Sequence, residues 1–181
     1  LDDSRVDFVG GGFDIVFRIG PMRDSSMIAK KLAENKTAIV ASEAFIAKHG
    51  MPRCPEELTM LPSIMYSHGG FVLDKVQFYP EDNTGNLETY ALKGNYRVNE
   101  PELIVESVKA SLGFAQIGQF MLSEGLAEQG LVQLLPEREI PSFGDIYAMY
   151  THRKQSPLVL AFIEIVQEII GTPPSWEKHF A

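Results

Sequence analysis

A chain of 181 residues is long enough for one large domain or two small lobes, each with its own core. Its 45% hydrophobic and 22% charged content is that of a globular protein. The net charge of −8 argues against nucleic-acid binding by these residues, because phosphate recognition needs a clustered basic surface and only Lys30-Lys31 and Arg153-Lys154 are adjacent basic pairs.

A single cysteine, Cys54, rules out an intrachain disulfide or a cysteine metal cluster, and fits a reducing, cytoplasmic compartment. No apolar run approaches the length of a membrane span, and no basic-then-apolar leader opens the chain, so no membrane partner is expected. The first residue is Leu1, not Met, and it falls straight into a structured pattern, which suggests a fragment or a processed piece.

The predicted elements begin after Gly10-Gly11-Gly12. Residues 13–20 form a short continuous apolar run, the mark of an inner parallel strand covered on both faces. Thr37 to Ala41 is a second such run, leading into Ser42 as an N-cap and a short helix from Glu43 to Lys48 closed by Gly50. Pro62 to Tyr66 is a third, ending in Ser67-His68-Gly69-Gly70. Residues 76–99 carry turn-rich PEDNTGN between apolar stretches and read as a hairpin or antiparallel pair.

Pro101 then starts a helix in which Leu103, Val105, Val108 and Leu112 share a face and Gly113 supplies the stop. Residues 114–117 read as a strand, Gln119 to Glu124 as a short helix stopped at Gly125, and 131–135 and 146–150 as strands. The clearest helix follows. Ser156 caps it, Pro157 starts it, and Leu158, Phe162, Ile163, Val166, Ile169 and Ile170 form one apolar stripe before Gly171 and Pro173-Pro174 end it. Strands alternating with helices predict an α/β fold with a largely parallel sheet.

Catalytic chemistry is hard to find. The four histidines, His49, His68, His152 and His179, lack metal-ligand spacing, so neither a metal nor another cofactor is expected. There is no GxSxG elbow, and Cys54 sits in a Pro-rich loop without a partner motif. The triple glycine precedes a strand, the wrong order for a phosphate loop. What remains is polar punctuation at strand ends, where open α/β sheets bind ligands. Arg18-Ile19-Gly20, Ala41-Ser42 and Tyr66-Ser67-His68-Gly69 are suitable. Gly20 also fits a simple turn, Ser42 a helix cap and Arg18 a surface ion pair; His68, beside two glycines, has the better claim to face a cleft.

The ordered set Val6-Asp7, Gly12-Phe13-Asp14, Arg18-Ile19-Gly20, Asp24-Ser25-Ser26, Ala41-Ser42, His49-Gly50, Pro52, Pro55 and Leu58 resembles the effector-binding domain of LysR-type transcriptional regulators. Asn99, Leu112-Gly113-Phe114-Ala115, Gly130-Leu131-Val132, Leu134-Leu135-Pro136, Ile146-Tyr147-Ala148, His152-Arg153 and Ala161-Phe162-Ile163 continue the match over roughly residues 1–170.

The resemblance implies a type 2 periplasmic-binding-protein-like fold: two Rossmann-like α/β lobes joined by two crossover strands, here without the first strand and helix of lobe I. Lobe I would hold residues 1–40 and 132–175, lobe II residues 41–131, and 176–181 a C-terminal tail. The crossovers would fall near Ala41-Ser42 and between Leu122 and Val132. The resemblance further implies a small effector in the interlobe cleft, lined by Arg18, Ile19, Gly20, Ser67, His68, Gly69, Asn99 and Phe114. It implies a homodimer or homotetramer, and DNA contact through an N-terminal winged helix-turn-helix not contained in these residues.

A cleft rich in helix ends favours a small anion such as a carboxylate. Ser111 and Gly118 stand where relatives usually carry Gly and Pro, and Gln116 replaces an apolar residue. Two rivals share the fold: a solute-binding protein for transport, which needs an export signal or lipobox cysteine, and an enzyme, which needs paired catalytic groups.

Overall fold

The structure is a computed structural model and describes residues 13–20, 27–68, 71–82, 84–150 and 156–180. Gly10, Gly11, Gly12, Asp24, Ser25, Ser26, Gly69, His152 and Arg153 lie outside the described residues. In chain order the strands and helices begin with β1 (Val16–Ile19), β2 (Ile28–Ala33), β3 (Thr37–Ser42), α1 (Glu43–His49), α2 (Pro55–Leu58), β4 (Pro62–His68) and β5 (Phe71–Leu73). They continue with β6 (Lys75–Phe78), β7 (Glu88–Ala91), β8 (Lys93–Val98), α3 (Pro101–Lys109), β9 (Ala115–Gly118), β10 (Leu131–Gln133), β11 (Ile146–Tyr150) and α4 (Pro157–Ile170).

Two sheets organise the chain. In the small one, β11 lies between β1 and β2 and is antiparallel to both. In the larger one, β10, β3 and β9 pair antiparallel, β9 meets β4 through a parallel bridge from Phe114 to Ser63, and β4 pairs parallel with β8. Strands β4, β8, β9 and β10 therefore run one way and β3 the other. β5 folds back on the end of β4, and β6 and β7 form a separate antiparallel hairpin, as the turn-rich segment predicts.

The run Thr37–Ser42 is buried at every position, as expected, because both faces of the larger sheet are covered. Ala38 and Val40 pack with Ile104, Val105 and Val108 of α3. Ile39 and Ala41 pack on the other side with Phe45, Leu58, Phe78 and Leu134. Its neighbours are antiparallel, however, since it crosses the sheet against the flow of the other strands.

The equivalent expectation for residues 13–20 is corrected. β1 has antiparallel β11 as its one hydrogen-bonded neighbour among the described residues, and Phe17 and Ile19 are 44% and 40% exposed. Its apolar composition reflects a surface where α4 supplies only a partial cover, Phe162 meeting Phe17 edge-on at 6.0 Å.

Local capping follows sequence in α1, where Ser42 Oγ accepts from the Phe45 N–H and Gly50 closes the helix at φ 87°. α3 ends earlier than expected, at Lys109, and Ser111 rather than Gly113 takes the left-handed conformation, at φ 60°. Gly113 serves close approach instead: a Cβ there would lie 2.8 Å from the Pro62 carbonyl oxygen. The helix expected from Gln119 to Glu124 shrinks to a 3-10 turn, Gln119–Met121, because Leu122 turns extended and buries its side chain in the α3-side core.

α4 is capped by Ser156, whose Oγ accepts from the Val159 N–H, and ends at Gly171. Only part of its expected stripe is inward: Ile163 and Ile170 are buried, joined by Val159 from outside that stripe, whereas Leu158, Phe162 and Ile169 are exposed. By length and mean hydropathy the stretch Pro157–Phe180 passes as a membrane-span candidate, against the expectation from sequence. Its α-helix proper has 14 residues. At 1.5 Å per residue that is about 21 Å, short of a hydrocarbon core of about 30 Å.

Candidate functional site

The carboxyl ends of β4, β8, β9 and β10 and the start of β3 share one rim of the larger sheet. The chain reaches that rim from the small sheet through residues 34–36 and returns to it through residues 134–145, after β10. Strand carboxyl ends are where open α/β sheets leave unpaired backbone groups and room for ligands. A pocket of about 430 Å³ sits there, lined from Glu34 to Ile39 on one connection, from Gln133 to Ser142 on the other, and by Gln119 and Tyr79.

Its wall is apolar where Ile39, Leu134, Leu135 and Ile140 belong to the adjoining core. The polar lining is held in place by the backbone. The Gln119 N–H donates to the Lys36 carbonyl at 2.8 Å, Thr37 Oγ1 to the Pro141 carbonyl at 3.0 Å, and the Tyr79 N–H to the Glu139 carbonyl at 2.9 Å. The side-chain amides of Gln119 and Gln133 make no hydrogen bond among the described residues, so each offers a donor and an acceptor to a ligand.

Both basic groups of the lining are already paired. Lys36 Nζ lies 2.8 Å from Glu177. The Arg138 guanidinium lies 2.7 Å from Glu88 and 3.4 Å from Glu81, with its carbon 5.3 Å above the centre of the Phe78 ring.

The small-sheet edge of the site is built by close backbone approach. Gly20, at φ 120°, donates its N–H to the Asp145 carbonyl at 3.3 Å. A Cβ on Gly144, at φ 97°, would fall 2.5 Å from the Gly20 Cα, so both positions need glycine. Asp145 also ties this loop to β2, its carboxylate 2.8 Å from Lys31 Nζ; that hydrogen bond holds the lysine above its usual 10.5.

Of the sequence-predicted residues, Gly69 lies outside the described residues, and none of the described ones lines this pocket. Gly20 is buried beside residues 142–145, the loop that also carries Ser142 of the lining. Arg18 and Ile19 lie on exposed β1, opposite Tyr147 and Ile146. Ser67 and His68 are half-buried on β4 opposite Val72 and Phe71, with the His68 ring stacked on Tyr66 at 6.4 Å. Asn99 is exposed just beyond β8, on the same rim. Phe114 is 1% exposed and packs inside the core with Ile39 and Phe45. The residues missed are Thr37, Tyr79, Gln119, Gln133 and Arg138. A glutamine inside the apolar run LVQLL was the available signal for one of them.

Comparison with known proteins places this geometry. Residues 2–170 match the family model described as LysR substrate binding domain. The chain is 30% identical over 174 residues to the probable HTH-type transcriptional regulator LtrA of Klebsiella pneumoniae, covering 94% of this chain and 55% of that protein. The virulence activator AphB of Vibrio cholerae, described as a member of the LTTR protein family, superposes with a TM-score of 0.73 at 26% identity, covering 92% of this chain and 55% of that one. The regulatory domain of CrgA from Neisseria meningitidis gives a TM-score of 0.80 at 22% identity, covering 94% and 81%. The chain spans about half the length of the curated relatives it matches. The fold is the type 2 periplasmic-binding-protein-like α/β fold of these regulatory domains.

Proposed function

Because the chain belongs to the LysR substrate-binding domain family, we propose that it is the effector-sensing domain of a transcriptional regulator. In this reading it binds a small molecule in the pocket between its two sheets. The small sheet with α4 serves as lobe I and the larger sheet as lobe II; the lobe boundaries expected at 40/41 and 131/132 shift to the connections 34–36 and 134–145, because β3 and β10 pair inside the larger sheet. The observation that carries the reading is the pocket of about 430 Å³, because both connections between the sheets line it. A ligand there touches the segments that must bend when the lobes close, which gives binding a route to conformational change.

Relatives named as HTH-type transcriptional regulators support a non-enzymatic sensor over a transport protein or an enzyme. DNA contact then belongs to a separate helix-turn-helix, self-association as a homodimer or homotetramer to the assembled regulator, and location to the cytoplasm where its DNA is. Arg18, Ile19, Gly20, Ser67, His68 and Asn99 form the outer rim of the cleft in this reading. A carboxylate effector, the class favoured from sequence, has Lys36 and Arg138 as partners and must compete with the glutamates already on them.

A thermal-shift screen of small acids, sugars and aromatics tests the proposal. A ligand at a hundredfold excess over its Kd stabilises by about 2.7 kcal/mol. The expected hit loses that shift in Gln119→Ala. A panel without a hit, or a shift untouched by that substitution, contradicts the proposed site.

A further inference from the structure

Among the described residues the chain passes between its two sheets three times. Residues 34–36 and 134–145 are the first two passages. The third follows α4, which packs on the small sheet through Val159 and Ile163 against Ala148. Beyond Gly171 lies a 3-10 helix, Ser175–Phe180, whose Phe180 is seated on the core of the larger sheet. This segment lies beyond residue 170, where the match to the family ends.

Its contacts converge on the junction. The Trp176 ring meets Phe120 edge-on, centroids 6.3 Å apart, directly after the Gln119 that lines the pocket. Glu177 pairs with Lys36, which also lines the pocket, at 2.8 Å. His179 Nδ1 lies 3.0 Å from the Leu122 carbonyl oxygen, and the His179 carbonyl accepts from the Leu126 N–H at 3.2 Å. Phe180 packs against the cluster that contains Ile117, Leu122 and Leu131.

We propose that Ser175–Phe180 is a strap that clamps the junction of the two sheets and limits how far they part around the pocket. Any opening that draws α4 away with the small sheet must strip Trp176 and Phe180 from Phe120 and the core beneath, and stretch the Lys36–Glu177 pair. The apolar contacts provide the grip, since they bury large side chains. The grip is not complete. The Asn35 side-chain amide and Trp176 Nε1 are buried at this seam without a protein hydrogen-bond partner, and an orphaned buried polar group carries a desolvation cost that undocking relieves. A seam with strong apolar contact and unpaired polar atoms is poised between docked and released. The restraint holds whatever fills the pocket; its use in setting the cost of effector entry rests on the function proposed above.

Hydrogen exchange on the 181-residue chain without any ligand tests the strap separately from that function. Truncation after Pro174 is expected to raise exchange at residues 36–39 and 117–122 by more than about tenfold while the β4–β8 amides stay unchanged. Unchanged exchange at the junction overturns the proposal. If truncation raises exchange everywhere alike, the charge pair decides. Lys36→Glu alone is expected to speed exchange at the junction by up to about fivefold, as for a half-exposed ion pair. Lys36→Glu combined with Glu177→Lys restores the original rate if the strap acts there; failure to restore it overturns the proposal.

Discussion

Arg138 joins three parts of the molecule that are distant in sequence. One guanidinium nitrogen reaches Glu88 on β7, the other Glu81 in the hairpin turn, and the flat face covers Phe78. With its side chain 13% exposed, it is screened less than a surface charge. Arg138→Ala is expected to cost about 1–2 kcal/mol, read as a lower urea midpoint at unchanged slope. Arg138→Lys should recover only part, because a point charge cannot keep both the fork and the stacking.

Ser42 illustrates a residue legible from sequence in one role and not in another. Its cap of α1 was predictable, but its hydroxyl also meets Ser111 Oγ at 2.7 Å, which no local pattern announces. Ser42→Ala is expected to cost about 1 kcal/mol by calorimetry, the usual value of a lost cap. Gly113 shows the opposite error. It looked like a helix stop because Leu112 kept the helical spacing, yet the stop is Ser111 and the glycine is needed where Pro62 passes.

At the level of elements, apolar runs predicted where strands fall but not what covers them. β3 and β1 are both short apolar runs, yet one is buried throughout and the other is largely exposed, because among the described residues β3 has elements packed on both faces and β1 does not. The same lesson holds within α4. Ile163 and Ile169 both belong to the predicted stripe, but Ile163 is 1% exposed and Ile169 73%. Ile163→Ala is expected to cost about 2–4 kcal/mol through lost burial and an unfilled cavity. Ile169→Gln should stay within about 0.5 kcal/mol in denaturant melts of the two variants.

Over the whole molecule, the fold was legible because many small features recur in a fixed order, and order survives when no single motif is diagnostic. The pocket was not. Its lining comes from residues 34–39, 79, 119 and 133–142, which only the passages between sheets bring together. Strand-end chemistry pointed to strand termini, Gly20 among them, but periodicity carries no information on which part of a rim is concave.

The charge distribution adds a prediction for the intact chain. Backbone and side-chain hydrogen bonds hold Glu56 below its usual 4.5, and Arg53 does the same for Glu57. Their contribution to stability is therefore complete above 4.5 and fades as pH falls through the lowered values. Lys31, raised by Asp145, behaves oppositely: its contribution is complete below 10.5 and fades as pH rises through the raised value. For these groups the urea midpoint should be flat from pH 4.5 to 10.5 and fall outside that window.

The most direct test of a ligand site at the junction is a hydrogen-exchange footprint of the chain with and without a small molecule that raises its melting temperature. Protection is expected at residues 34–39, 118–120 and 133–142, on both connections together. Protection confined to α3 or to residues 123–131, with the connections unchanged, would contradict a site between the sheets.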